Sequence, residues 1–249
     1  MQFTYDGQAI DVNIADQQTL LAEISNRFRS GTGFALATIN LDHLVKLRSD
    51  AAFRDAYARQ DLIVADGNPI VWLSRLARKP LSLLPGSDLV LPLVRTAADM
   101  NVPIALVGTT ESALAAAAED LARQVPNARI VAQIAPPMGF DPTSAAAGDL
   151  LRQVGDSGAR MCFLALGAPK QERLAALGRQ VVPQVGFASI GAGLDFLAGN
   201  QTRAPEWVRK IAMEWAWRMM TAPSRLIPRY ARCFAILPAE MIAAIKQRR

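Results

Sequence analysis

Short, continuous apolar runs alternate along the chain with longer stretches in which apolar residues recur every three or four positions. The runs predict strands at 33–39, 62–65, 103–108, 129–134, 160–166 and 186–191, and the periodic stretches predict helices at 17–29, 41–60, 69–78, 88–100, 111–125, 143–156 and 170–181. Strands that are apolar throughout, not apolar on alternate positions, are buried on both faces. The fold class that follows is α/β, with a doubly wound, largely parallel, Rossmann-like sheet. Before it, Phe3 to Val12 alternates around Asp6-Gly7 and predicts an N-terminal hairpin.

From about Ala204 the pattern changes. Trp207, Ile211 and Trp215 fall at i, i+4 spacing, and Pro223, Pro228 and Pro238 then interleave with Arg225, Arg229 and Arg232. We divide the chain into an α/β domain at 1–200 and a C-terminal helical appendage of short helices at 201–249. The formal charge of +5 is uneven, since residues 201–249 carry ten Lys/Arg against three Asp/Glu and the rest carries 17 against 19. Basic and aromatic residues on short helices suit an anionic membrane surface. Packing of the tryptophans into a core, with the arginines solvated, is the other reading of the same pattern.

Composition narrows the chemistry. With 249 residues, 51% of them hydrophobic, the chain can bury a substantial core. No apolar stretch is long enough to cross a bilayer, and the first residues lack the basic and apolar regions of a signal peptide. A cytoplasmic, membrane-peripheral location is expected. Cys162 and Cys233 make neither a disulfide framework nor a metal site, and the single histidine, His43, reads as structural. There is no Asp-x-Asp pair of the kind that holds Mg²⁺ beside a nucleotide diphosphate, so we expect metal-independent chemistry and no cofactor. No nucleic-acid-binding motif accompanies the basic tail.

In a doubly wound sheet, ligands gather at the carboxyl ends of the strands. The residues placed there are Thr38 and Asn40, Asp66 and Gly67, Gly108, Gly167 to Gln171, and Gly191 to Asp195. The run Cys162 to Glu172 ends its strand in Gly167 and opens a helix at Pro169-Lys170-Gln171. With Pro169 as first helical residue, Lys170 and Gln171 would lie beside unpaired N–H groups that attract a phosphate; an ordinary strand-to-helix turn with a solvated lysine fits equally well. Asp66 is either a proton acceptor or the cap of an Asp-Gly turn. Gly191-Ala192-Gly193 is no dinucleotide fingerprint, because the third glycine would fall at Phe196.

Several segments together resemble the WecG/TagA/CpsF glycosyltransferases, family 26. They are Thr38-Ile39-Asn40-Leu41-Asp42-His43-Leu44, Ala65-Asp66-Gly67, Gly86-Ser87-Asp88-Leu89, Leu166 to Glu172, Gly191 to Gly199 and Arg203-Ala204-Pro205-Glu206-Trp207, continuing into Glu214 to Arg218 and Pro223-Ser224-Arg225. The resemblance implies inverting transfer of a hexose from a UDP-sugar donor to a polyprenyl-diphosphate-linked acceptor in the synthesis of surface or wall polymers. It makes Asp66 the general base and has Thr38 and Asn40 line the sugar or phosphate pocket. Gln171 and Asp195 would touch the donor, and Arg218 and Arg225 would reach the diphosphate. Gly67, Gly108, Lys170 and Arg203 complete the expected substrate-binding set. Leu83 departs from the pattern, standing where the family commonly has an arginine. A non-enzymatic module that binds nucleotides or other anions and recruits partners through its tail is the alternative, and a homo-oligomer is left open.

Overall fold

At the N-terminus, β1 (Gln2–Tyr5) turns back on β2 (Gln8–Asp11), with Tyr5 opposite Gln8. The two residues between them, Asp6 and Gly7, both take positive φ (49° and 78°), the backbone twist that a two-residue hairpin needs. The structure is a computed structural model and describes residues 1–108, 110–199, 217 and 223–248.

The six predicted strands all form: β3 (Phe34–Ile39), β4 (Leu62–Ala65), β5 (Ile104–Gly108), β6 (Ile130–Ile134), β7 (Met161–Ala165) and β8 (Gly186–Ser189). They make one parallel sheet in the order β4-β3-β8-β7-β5-β6. Five strands are wholly buried, as their unbroken apolar runs require. β6, at the edge, alternates between more and less exposed positions.

Helices cover both faces. On one side α1 (Gln17–Ser30), α5 (Gly86–Asp99) and α6 (Glu111–Gln124) bury Leu20, Ile24, Leu93 and Leu114 against Phe34, Leu36, Leu106 and Phe163. On the other, α2 (Leu41–Ser49), α3 (Ala51–Ala58) and α4 (Asn68–Leu76) cover β3 and β4, while α7 (Ala145–Asp156) and α8 (Lys170–Val181) cover Cys162, Leu164 and Phe187. Each fully buried Leu or Phe contributes roughly 1.5–3 kcal/mol relative to exposure.

Two elements of the α/β domain differ from the sequence expectation. The helix predicted at 41–60 is two, because Asp50 leaves helical geometry (φ −114°, ψ 98°). Its N–H closes α2 on the Lys46 carbonyl, while its carboxylate accepts from the Phe53 N–H at 2.9 Å and caps α3. A short helix, α9 (Gly193–Leu197), follows β8 where no element is predicted.

The appendage contributes α10 (Pro223–Lys246), one helix of 24 residues in place of the expected short ones. Each internal proline removes a backbone hydrogen bond, yet the helix runs through Pro228 and Pro238. Leu226, Cys233, Glu240 and Ala244 are buried and keep one face toward the domain across both prolines. Arg229 pairs with Asp42 of α2 at 3.0 Å. Glu240 accepts from Arg48 at 2.7 Å and from the Tyr5 hydroxyl at 2.8 Å. Among the described residues no helix is long and apolar enough to cross a membrane. The predicted Trp207, Ile211 and Trp215 row lies outside the described residues.

Candidate active site

The chain leaves β4 at Ala65, but the Asp66 N–H still donates to the Ile39 carbonyl at 2.8 Å, so Asp66 stays alongside β3 one residue past the strand. Gly67 then turns the backbone at φ 108°, a conformation that side chains rarely allow, and the chain enters α4 with Pro69 in its first turn. Asp66 is thereby left half-buried at the carboxyl edge of the sheet.

Asn40 sits beside it for a local reason. As N-cap of α2 it accepts the His43 N–H on Oδ1 at 3.1 Å. That bond decides which way the amide faces, and Nδ2 lies 3.4 Å from Asp66 Oδ2. Thr38 is buried, and its carbonyl accepts the Tyr57 hydroxyl at 2.6 Å; His43 Nδ1 lies 2.8 Å from both oxygens. Phe53 and Tyr57 close on the imidazole edge-on. Burial, and after it the charge of Lys46, pushes His43 down to about 4, so the ring is neutral at neutral pH. This is the structural role expected of it.

A second group of residues stands where β7 delivers the chain to α8. Gly167 turns at φ 71°, the Ala168–Pro169 peptide is cis, and Pro169 is the N-cap, not the first helical residue. The unpaired amides expected here are partly occupied. Gln171 N–H donates to the Gly167 carbonyl at 3.2 Å. Lys170 is half-buried. Gln171 is only 2% exposed; its Nε2 donates to Glu172 Oε1 at 2.8 Å and its Oε1 accepts from the Gly191 N–H at 3.1 Å. Asp195, half-buried on α9, has its carboxyl pushed above the ordinary range by burial.

Lys46 ties the two groups together, pairing with Asp42 at 2.8 Å and donating to the Ala168 carbonyl at 3.2 Å. The Tyr57 hydroxyl is held well above the usual range by burial and then by the charges of Glu172 and Asp66.

Thr38, Asn40, Asp66 and Gly67 are therefore neighbours, and Lys170 and Gln171 form a second cluster, whose Gln171 is bonded to Gly191. Gly108 is remote from Asp66, because β5 is four places from β4, about 19 Å at the usual strand spacing, but it pairs with Ala165 at the end of β7, on the side of the second cluster. Its lack of a side chain has a packing reason: at φ 135°, a Cβ there would meet the Ala165 carbonyl oxygen at 2.5 Å. Arg203 and Arg218 lie outside the described residues, and of Arg225 only the helical backbone in α10 is described. Leu83 is 40% exposed, and Arg75 and Arg78 are also at the surface. A groove of about 580 Å³ between β1 and α10 contains none of the predicted site residues. Among the described residues no three His, Cys, Asp or Glu side chains gather as metal ligands would.

Sequence reasoning missed Lys46, Tyr57 and Glu172 as members of this site. For Glu172 a signal existed: it lies three and four residues before the buried Ala175 and Ala176, on the inward side of α8.

The sequence profile of the Glycosyl transferase WecG/TagA/CpsF family matches residues 7–249. The chain belongs to this family of glycosyl transferases. Two relatives are named N-acetylglucosaminyldiphosphoundecaprenol N-acetyl-beta-D-mannosaminyltransferase. The one from Bacillus subtilis (strain 168) is 27% identical over 206 residues, covering 80% of this chain and 78% of the relative. The one from Bacillus spizizenii is 27% identical over 218 residues, covering 85% and 82%.

Proposed function

We propose that this protein transfers a hexose from a UDP-sugar to a polyprenyl-diphosphate-linked sugar with inversion, and that Asp66 is the general base. The observation that carries this reading is the half-buried Asp66 carboxylate beside the Asn40 amide, at the carboxyl edge of a parallel sheet. In an inverting displacement the acceptor hydroxyl loses its proton to Asp66 as its oxygen bonds the anomeric carbon, and the carbon–oxygen bond to UDP breaks. One carboxylate suffices, because no glycosyl-enzyme intermediate forms. The charge that develops on UDP is met by Lys170 and by Arg203, Arg218 and Arg225 of the appendage. Thr38 and Asn40 line the pocket, Gly67 and Gly108 contribute to substrate binding, and Gln171 and Asp195 engage the donor.

The relatives' names supply the first pair to assay, an N-acetyl-mannosaminyl donor and N-acetylglucosaminyl-diphospho-undecaprenol. Substituting Asp66→Asn is expected to cut UDP release by about 10³-fold while leaving UDP-sugar affinity within about threefold. Retention of most transfer by the variant rejects Asp66 as base, and no UDP release by the wild type with any donor and lipid acceptor favours a binding module.

The appendage fits an anionic membrane surface. α10 exposes Ile227, Phe234, Met241, Ile242 and Ile245, and Arg232 and Lys246 on the same helix are also exposed. Such a helix can lay apolar side chains among acyl chains and cations on headgroups. The double substitution Phe234→Glu, Ile242→Glu is expected to lower co-sedimentation with anionic vesicles at least about tenfold without changing Tm. Unchanged co-sedimentation removes α10 from the membrane contact.

A further inference from the structure

The Gln171 amide has only one workable orientation. A backbone N–H can only donate, so the atom facing Gly191 must be the carbonyl oxygen, and the atom facing Glu172 Oε1 is then the amide nitrogen. A flipped amide would set N–H against N–H and oxygen against carboxylate oxygen. Gln171 thus joins the start of α8 to the loop after β8, the strand between β3 and β7.

Glu172 itself is wholly buried, and its Oε2 has no hydrogen-bond partner among the described residues. A buried carboxyl group with an unmatched oxygen is costly, and α8 would be simpler with an apolar residue at this place. Gln60 holds the backbone instead, its Nε2 donating to the Glu172 carbonyl at 3.1 Å. The side chain's own bond goes to Gln171.

We propose that Glu172 is a positioning residue for donor binding: its carboxyl group orients the Gln171 amide and, through it, the Gly191 turn. The proposal rests on the reading of Gln171 as a donor contact. Burial pushes the Glu172 carboxyl up to about 7, against the Gln171 bond and Lys46, which pull it down. The grip on Gln171 therefore tightens through neutrality, because an ionised acceptor holds an N–H roughly twice as strongly as a neutral one. The charge of Lys46 on α2 acts on Glu172, and the charges of Glu172 and Asp66 act in turn on the Tyr57 hydroxyl of α3. On its own helix Arg173 is paired with Asp50 at 2.7 Å. β3 and β8 present no ionisable side chain, Cys162 of β7 is a thiol kept neutral by burial, and α7 turns Asp149, Arg152 and Asp156 to solvent.

Two measurements on the full chain decide it. In the first, the side-chain amide of Gln171 is followed by NMR as pH is raised in the absence of substrate. Its resonance is expected to move with a midpoint near 7 in the wild type and to stay fixed in Glu172→Gln. A resonance that stays fixed in folded wild type overturns the proposal. In the second, Glu172→Ala is expected to raise the donor KM about tenfold with kcat within about threefold, and Glu172→Gln, which keeps an acceptor oxygen, to restore KM. A folded Glu172→Ala protein with wild-type donor KM also overturns it, and should that variant not fold, the NMR titration decides alone. Absence of UDP release from wild type in which Gln171 does titrate defeats the glycosyl-transfer reading and leaves the positioning by Glu172 standing.

Discussion

The loop after β4 and the first turn of α8 each bring a carboxylate to the same end of the sheet, but they treat it differently. Asp66 remains half-buried, where water and a substrate hydroxyl can reach it, and the Asn40 amide stands 3.4 Å away. Glu172 is wholly enclosed, holds Gln171 at 2.8 Å and leaves one oxygen unmatched. Access decides what each acid can do: an accessible carboxylate can take a proton from a reacting group, whereas an enclosed one can act only on the side chains that enclose it. On the proposed reading, the acids after β4 and β7, three places apart in the sheet, divide the work of chemistry and positioning.

The largest effect should fall on the open acid. Asp66→Asn, expected to cost about 10³-fold in UDP release, should leave the unfolding transition nearly unchanged, because the amide can still face Asn40. If it unfolds the protein instead, Asp66 is a structural cap and the contrast between the acids fails.

The enclosed acid should show itself in stability. Its carboxyl rises from 4.5 to about 7 in the folded protein, so the folded state holds the proton more tightly than the unfolded chain. The sign follows: the stabilisation is complete below about pH 4.5 and is lost as pH rises through about 7, up to about 3 kcal/mol in all. Glu172→Gln carries no such proton. Its Tm relative to wild type should climb between pH 5 and pH 8, and parallel Tm curves would show that Glu172 is not held neutral by burial.

Asn40 offers the smallest and most selective probe. Asn40→Ala loses both cap and Asp66 neighbour, at about 1 kcal/mol of stability. Asn40→Asp keeps a capping oxygen but sets a second negative charge beside Asp66. Both variants are expected to lose about tenfold in transfer, with stability lowered only in the alanine variant. Full transfer by Asn40→Asp would mean that Asp66 works without its neighbour.

Much of this arrangement could be read from residue patterns. The buried strands announced themselves as unbroken apolar runs, and a parallel sheet sends its strand ends to one edge, which put Thr38, Asn40, Asp66, Gln171 and Gly191 on the same side. The division of 41–60 at Asp50 was not legible, because the apolar spacing continues across it and only the 2.9 Å cap bond to Phe53 marks the break. Nor was the enclosure of Glu172. An acid in a first helical turn ordinarily faces water near the helix dipole, and this one is buried because α3 packs over α8, with Gln60 holding its carbonyl. Likewise the prolines of the appendage pointed to short helices, whereas the buried row from Leu226 to Ala244 holds a single one.

Local chemistry alone settled the strands, the glycine turns at Gly7 and Gly67, the Asn40 cap and the presence of an acid at a strand tip, since each depends on residues a few positions apart. Contacts between residues distant in the chain settled the rest: the neutral His43 under Tyr57, the docking of α10 on Asp42 and Arg48, and the single orientation of Gln171 between Glu172 and Gly191. Desolvation is the physical reason, because the cost of a buried charge or an unmatched polar atom depends on what packs around it, and that neighbourhood exists only once the chain has folded.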